Sequence, residues 1–143
     1  MACPYFEPTK LSVDATTLRP LRNFWSGLCH AEPAQPFEQS DQNVLSECCN
    51  MGYARSRCSR FPEVSGPDAV RFTVVRDTER MVVVSFAVEK NHLPYAQGLL
   101  EYSRAEQSFV VSHPNRLIEQ QARAYLAGYL RVKPRSASTS DAR

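Results

Sequence analysis

The sequence predicts an α+β fold: a small antiparallel sheet packed by a C-terminal helix, with a cysteine-rich loop-and-helix N-terminal region organised by a metal centre. Three observations support this prediction. Residues 1–67 contain all five cysteines and seven of the ten prolines. Runs of alternating apolar and polar residues, typical of strands, follow between about residues 70 and 111. Apolar residues at helical spacing then extend from Asn115 to about Lys133.

The length and composition favour one domain. The chain has 143 residues, of which 43% are hydrophobic and 22% are charged, close to the average of globular proteins. We expect a single domain over residues 1–134, comprising a cysteine-rich metal-binding region (1–67) and the sheet with its helix (68–134). Residues 135–143 are small and polar, and we expect them to form a disordered tail.

The N-terminal region is expected to be rich in loops, because proline fixes φ and removes a hydrogen-bond donor. One helix is predicted there, with an N-cap at Ser40-Asp41 and an end at Gly52. It carries Cys48 and Cys49, both on its apolar side. A second short helix is predicted at Leu21–Leu28.

The sheet is predicted from residue 70 onward. Apolar and polar residues alternate over Val70–Val75 and again over Met81–Val88, and the polar break Asp77–Arg80 separates the two runs. This arrangement predicts an antiparallel hairpin. A third strand is expected at Gly98–Tyr102 and a fourth, short one at Ser108–Val111.

The cysteines are the main candidates for a functional site. A tetrahedral metal ion or a four-iron cluster takes four thiolates. Adjacent residues on a helix point about 100° apart, so we expect only one of Cys48 and Cys49 to reach a shared centre. We favour Cys49, which is nearer to the expected chain reversal at Asn50–Gly52. The predicted ligands are therefore Cys3, Cys29, Cys49 and Cys58.

A [4Fe–4S] cluster is the predicted cofactor, with zinc as the alternative. Structural zinc sites usually contain C-x(2–4)-C pairs, which this sequence lacks. The predicted ligands are instead far apart in the chain, as suits a cluster held by distinct loops, and a Cys-Pro step such as Cys3-Pro4 occurs in bacterial ferredoxins. Aromatic residues would form the apolar shell of the site: Tyr5, Phe6, Phe24, Trp25, Tyr53 and Phe61.

The expected function is metal binding, with an electron-transfer, sensing or structural role rather than an enzymatic one. The alternatives are a zinc-stabilised binding module and a metal-free thiol enzyme or sensor, in which Cys48 and Cys49 could act as a vicinal pair. Buried cysteines that only pack are the simplest alternative. His30 could ligate a metal or support a ligand, whereas His92 and His113 suit turn or capping roles.

Three arginines, Arg55, Arg57 and Arg60, surround Cys58. They could form ordinary surface ion pairs, offset the negative charge of a cluster, or contact nucleic-acid phosphate. A formal net charge of +2 makes nucleic acid an unlikely partner. The sequence names no redox or protein partner.

We expect a cytoplasmic protein without membrane segments. The start MACPYFEPTK lacks the basic and apolar segments of a signal peptide, and the longest apolar run, near Met81–Val84, is too short to cross a membrane. Stable disulfides are rare in the cytoplasm, where clustered thiols more often bind metal or carry out redox chemistry.

The order CPYFEP … GLCHA … ECCNMGYARSRCSRFP … DAVRF resembles that of a group of small uncharacterised bacterial proteins with similarly placed cysteines. The resemblance covers most of the chain. It implies that the cysteine before Asn-x-Gly-Tyr-Ala, here Cys49, is the shared one, and it implies no particular activity.

Overall fold

The protein combines two antiparallel sheets with a long C-terminal helix, which confirms the α+β class. The N-terminal region was predicted to consist of loops and helices, and this is corrected by a three-stranded sheet that satisfies its backbone. The computed structural model describes residues 2–11, 25–50, 54–55, 57–63 and 66–132. A short helix, α1 (Gln42–Val44), lies between the two sheets in sequence and continues as a π-helical turn over Leu45–Cys49. The long helix is α2 (Arg116–Val132).

The N-terminal sheet contains three short strands. In both sequence and spatial order they are β1 (Phe6–Leu11), β2 (Trp25–Cys29) and β3 (Phe37–Gln39). Cys29, the last residue of the central strand, faces Phe6 on one side and Phe37 on the other. Because β2 is hydrogen-bonded to both neighbours, its backbone holds Cys29 in a fixed place.

The helix predicted at Leu21–Leu28 is wrong where the structure describes it. The chain from Trp25 onward is extended in β2, and residues 21–24 lie outside the described residues. Strand β2 forms backbone hydrogen bonds with β1 on one side and β3 on the other. These hydrogen bonds outweigh the weak helical pattern of its sequence. Gly27 allows the close approach of β1: a Cβ there would lie 1.9 Å from the Glu7 carbonyl oxygen.

The helix predicted after Ser40-Asp41 is present. The Asp41 carboxylate accepts hydrogen bonds from the amides of Asn43 (2.9 Å) and Val44 (3.3 Å), which is the N-cap arrangement. The segment then widens into the π-helical turn, whose last residue is Cys49. The predicted end at Gly52 and the reversal at Met51–Gly52 lie outside the described residues.

The C-terminal sheet confirms the predicted hairpin and the two further strands, of which the fourth is shorter than the predicted Ser108–Val111. Its strands, in spatial order, are β4 (Ala69–Asp77), β5 (Met81–Lys90), β6 (Leu93–Ser103) and β7 (Ser108–Phe109). The third strand begins five residues before the predicted Gly98, because the turn before it consists only of Asn91 and His92. Both have positive φ (55° and 66°), typical of a two-residue hairpin turn. The sequence indicates a bend here, but the usual glycine is missing, so it does not reveal that the turn has only two residues.

Helix α2 covers one face of the C-terminal sheet. The Asn115 side chain accepts a hydrogen bond from the Leu117 amide (2.9 Å) at its start, and the predicted final residue Lys133 and the tail 135–143 lie outside the described residues. The predicted apolar stripe forms the core with the strands: Ile118, Ala122 and Leu126 pack against Val70, Val82, Val84, Phe86 and Leu100. In the described part of the chain, no helix is long and apolar enough to cross a membrane.

The two sheets are joined at the beginning of the chain. Ala2 and Val70 exchange two backbone hydrogen bonds of 2.8 and 2.9 Å. A second hydrophobic core surrounds the cysteines on the N-terminal side, and it contains Phe6, Leu45, Ala54 and Phe61. The cysteines therefore form part of the packing between the strands and α1.

Candidate metal centre

All five cysteines line a single cavity, which we call the cysteine cavity. It has a volume of about 20 Å³, measured as the room left for the centre of a water molecule. The structure thus brings together the four predicted ligands and adds Cys48. All five are free thiols. The apolar part of the lining consists of Tyr5, Phe6, Ala31, Ala54, Phe61 and Pro62.

The predicted aromatic shell is partly in place. Tyr5, Phe6 and Phe61 line the cysteine cavity, and the Tyr5 and Phe61 rings meet edge to face at 5.5 Å. Trp25 packs against the same hydrophobic core. Phe24 and Tyr53 lie outside the described residues.

Cys3 is held by three hydrogen bonds of its backbone. Its amide donates to the Cys49 carbonyl (3.1 Å), and its carbonyl accepts from the Phe6 amide (3.1 Å) and the Gln121 side chain (2.7 Å). These bonds fix the backbone that places the Cys3 thiol at the cysteine cavity.

Cys58 is positioned by a compact turn after Ala54. The carbonyl of Ala54 accepts hydrogen bonds from the amides of Arg57 (3.0 Å) and Cys58 (2.7 Å). The Cys58 carbonyl in turn accepts from the Phe61 amide (3.1 Å). Since Ala54 is fully buried, this turn anchors Cys58 against the core while leaving its side chain half-buried.

Cys48 and Cys49 both reach the cavity, although only one was expected to do so. Their relative exposures are nearly equal, 5% and 6%. A π-helical turn has more residues per turn than an α-helix, which reduces the angle between adjacent side chains. The local widening of the helix therefore lets both thiols face the same space. The choice of Cys49 as the ligand stays a prediction.

Three of the thiols are electrostatically unsuited to be free thiolates. Burial, followed by the proximity of the other cysteines, raises the pKa of Cys3 to about 12 and the pKa of Cys49 further still. Burial and the neighbouring Cys58 also raise the pKa of Cys48. Since reactive cysteines need a lowered pKa, this environment does not favour a nucleophilic thiol at these positions. A bound cation would supply the positive charge that thiolates need.

The three arginines have different surroundings. Arg55 forms an ion pair with Asp68 (2.5 Å) and lies over the Phe61 ring at 4.6 Å. Arg60 lies over Phe37 at 3.7 Å and also lines the cysteine cavity. The Arg55 contacts match an ordinary local ion pair, whereas the positive charge of Arg57 acts to lower the pKa of Cys48 against the larger effect of burial. Contact with nucleic-acid phosphate stays an untested alternative.

The histidines lie outside the lining of the cysteine cavity. The Nε2 atom of His30 is 2.7 Å from the Glu7 carboxylate, which also binds Arg116. His92 lies in the turn before β6, and His113 Nδ1 accepts a hydrogen bond from the Asn115 amide (2.8 Å) at the start of α2. The turn and capping roles of His92 and His113 are confirmed.

Gln121 is a site residue that the sequence reasoning missed. It is 4% exposed, and its Nε2 atom donates to the carbonyls of Cys3 and Phe6, each at 2.7 Å. The sequence signal was a polar residue inside an apolar helical stripe, which the periodicity alone assigns to the core. Only its position opposite Cys3 shows what the amide does.

Among the described residues, no three histidine, cysteine, aspartate or glutamate side chains are arranged so that they could hold one metal ion. No family model, curated protein or solved structure matches the chain.

Proposed function

We propose that this protein binds a [4Fe–4S] cluster through Cys3, Cys29, Cys49 and Cys58. One observation supports this proposal above all: thiols from four separate segments converge on one largely apolar cavity. Such a convergence is costly for free thiols that repel one another when ionised, but it suits a cationic centre with several ligand positions.

The cysteine cavity has room for a small group next to the thiols. It leaves about 20 Å³ for a water centre, and roughly 10–15 Å³ is enough to hold a water. The donor set also fits, because iron–sulfur clusters are held by cysteine thiolates.

The ligand set favours a redox or structural role over substrate activation. A [4Fe–4S] cluster with four cysteine ligands supplies one-electron chemistry and leaves no iron open to substrate. The residues of this chain would set its properties, because Tyr5, Phe6 and Phe61 line the cavity and limit access of water. Cys29 and Cys58 are half-buried, so electrons would have short paths to a redox partner.

The test is purification without oxygen, followed by absorption spectroscopy and metal analysis. We expect a brown protein with a broad band at about 400 nm and about four irons per chain. Colourless protein with one zinc per chain would contradict the cluster and support a zinc-stabilised binding module. Protein without metal but with five titratable thiols would contradict both metal-binding proposals.

A further inference from the structure

The C-terminal sheet has a second face, opposite the one that α2 covers, which we call the open face. Along β5, Val82 and Val84 belong to the core beneath α2, so Val83 between them points to the open face. Leu99 of β6 and Val75 of β4 are 64% and 55% exposed. Apolar side chains this exposed on a sheet face indicate a surface that contacts another protein.

A row of three residues, which we call the charged row, crosses the open face. Val83 at its centre pairs with Arg76 of β4 on one side and with Glu101 of β6 on the other. Both charged side chains are exposed, and neither forms an ion pair with another described residue. They are two strand spacings apart, roughly 10 Å. Opposite charges therefore flank an apolar centre.

The neighbours of the two charged residues establish which way their side chains point. The Asp77 carboxylate, next to Arg76, accepts a hydrogen bond from the Tyr129 hydroxyl of α2 (2.6 Å). Leu100, next to Glu101, is buried in the core beneath α2. Since successive side chains of a strand point to opposite faces, Arg76 and Glu101 both lie on the open face.

We propose that the open face binds a second copy of this chain, forming a two-fold symmetric dimer in which the two charged rows lie over each other. A two-fold axis parallel to β5 exchanges the β4 side of the sheet with the β6 side. Arg76 of each protomer then faces Glu101 of the partner subunit, and the two Val83 side chains meet on the axis. Sheets pack face to face about 10 Å apart, a separation that an arginine and a glutamate can bridge.

The distribution of charge favours this axis over one that runs across the strands. Such an axis exchanges the ends of the strands and brings Arg76 over Arg71 of the partner subunit, because both arginines lie on β4 and on the open face. Like charges that face each other across a contact disfavour it. Only the axis along the strands pairs opposite charges at both ends of the charged row.

The contact is expected to be reversible. Strands β4–β6 are at most eleven residues long, and a face of three such strands is at the small end of stable interfaces. The proposal does not depend on the metal centre, because the charged row and the cysteines lie on different sheets or outside the C-terminal sheet.

The test is sedimentation velocity over a range of protein concentrations, with a reductant present so that intermolecular disulfides cannot form. We expect the mass to rise from one chain to two as the concentration increases. Arg76→Glu and Glu101→Arg each bring like charges together at both ends of the charged row. Each variant should therefore be monomeric at concentrations at which the original protein is dimeric. Circular dichroism confirms that both variants are folded.

Mixing the two variants separates this dimer from any other. In the mixed pair, one chain has two acidic and the other two basic side chains in the charged row, so both contacts again join opposite charges. The mixture should form dimers although neither variant does so alone. The control is Glu32→Arg, which makes the same charge change at an exposed position between β2 and β3 and should dimerise like the original protein.

Three results would overturn the proposal. The original protein could stay monomeric at all concentrations, either single variant could dimerise like it, or the two variants could fail to associate when mixed. A monomeric original protein would leave the open face to a partner other than a second copy of the chain.

Discussion

At the scale of single residues, the adjacent Cys48 and Cys49 differ in what surrounds them rather than in how deeply they are buried. Cys48 lines both the cysteine cavity and an open cleft of about 600 Å³ between β3, the start of α1 and the turn that contains Cys58. Cys49 lines the cysteine cavity, and its carbonyl accepts the hydrogen bond that holds the Cys3 amide. This difference supports the prediction that Cys49 is the ligand and Cys48 the additional thiol.

Serine substitutions test this assignment directly. We expect Cys49→Ser to lose most of its iron and the absorption at about 400 nm, because a serine hydroxyl is a poor replacement for a cluster thiolate. Cys48→Ser should keep both. The measurement is iron per chain together with the absorption spectrum, after purification without oxygen. Retention of the cluster in Cys49→Ser combined with its loss in Cys48→Ser would reverse the assignment.

Gln121 is the residue that connects α2 to the cysteine site. Replacing it by leucine leaves the carbonyls of Cys3 and Phe6 without this donor in a buried place. We expect the free energy of unfolding to fall by about 1–3 kcal/mol, and the release of iron to a chelator to become faster. Urea denaturation and the rate of iron release measure the two effects.

The neighbouring Gln120 provides the matched control for this variant. It is half-buried, and none of the hydrogen bonds to Cys3 and Phe6 involves it. Gln120→Leu should therefore change both quantities little. Equal effects of the two substitutions would show that helix α2, rather than the amide of Gln121, accounts for the loss.

At the scale of elements, the close approach of β1 and β2 determines where Cys29 lies. A Cβ at Gly27 would meet the Glu7 carbonyl oxygen at 1.9 Å and its carbonyl carbon at 2.9 Å, and backbone atoms cannot rotate away. We expect Gly27→Ala to reduce the free energy of unfolding by at least about 2 kcal/mol, as measured by urea denaturation. The added methyl group should also push β1 and β2 apart. Because Cys29 is two residues further along β2, the protein should then retain metal less well.

Ser26→Ala is the control for this substitution. Ser26 is adjacent in the same strand, and its hydroxyl makes only a long contact of 3.4 Å to the Lys10 carbonyl. We expect its effect on stability to remain within about 0.5 kcal/mol. A Gly27→Ala protein as stable as Ser26→Ala would contradict the proposed role of the close backbone contact.

Some elements of the fold have local sequence signals that predict them, and others do not. The hairpin of β4 and β5 and the helix α2 were predictable, because each has a long, regular apolar pattern and short-range signals at its ends. The N-terminal strands were not, since β1–β3 are short, contain proline or cysteine, and pair across segments far apart in the chain. Their pairing depends on contacts that periodicity does not encode.

At the scale of the whole molecule, two buried carboxylates form contacts between the N-terminal cysteine region and the C-terminal part of the protein. Glu7 of β1 accepts hydrogen bonds from His30, just after β2, and from Arg116 of α2. Asp68, which precedes β4, accepts from Arg55 (2.5 Å) and from the Asn91 amide (2.7 Å). These contacts connect the cysteine region with the C-terminal sheet and its helix.

Because of these two carboxylates, the free energy of unfolding should depend on pH. Burial alone would raise the pKa of Glu7 and of Asp68, but it is outweighed by the hydrogen bonds of Glu7 with His30 and Arg116 and of Asp68 with Asn91 and Arg55. The pKa of each carboxyl is therefore lowered in the folded protein. Their contribution to stability is fully present above the unfolded pKa of about 4, and is lost as the pH falls through the folded value.

We therefore expect the free energy of unfolding to decrease below about pH 4. Urea denaturation between pH 3 and pH 7 tests this, with Glu7→Gln as the comparison, because glutamine cannot titrate. The variant should be less stable at pH 7 and should lose less stability on acidification, whereas loss of metal would affect both proteins. Parallel pH curves for the two proteins would contradict the role of Glu7.

The sequence by itself determined the elements with regular local patterns and identified the cysteines as the candidate ligands. Apolar periodicity and capping residues act over a few residues, so they can be read directly from the chain. Only the tertiary structure decided that all five thiols share one cavity, that Gln121 fixes the Cys3 turn, and that Cys48 and Cys58 also line an open cleft. These features depend on pairing between distant segments and on a local widening of a helix, and burial and hydrogen bonding in the folded chain determine both.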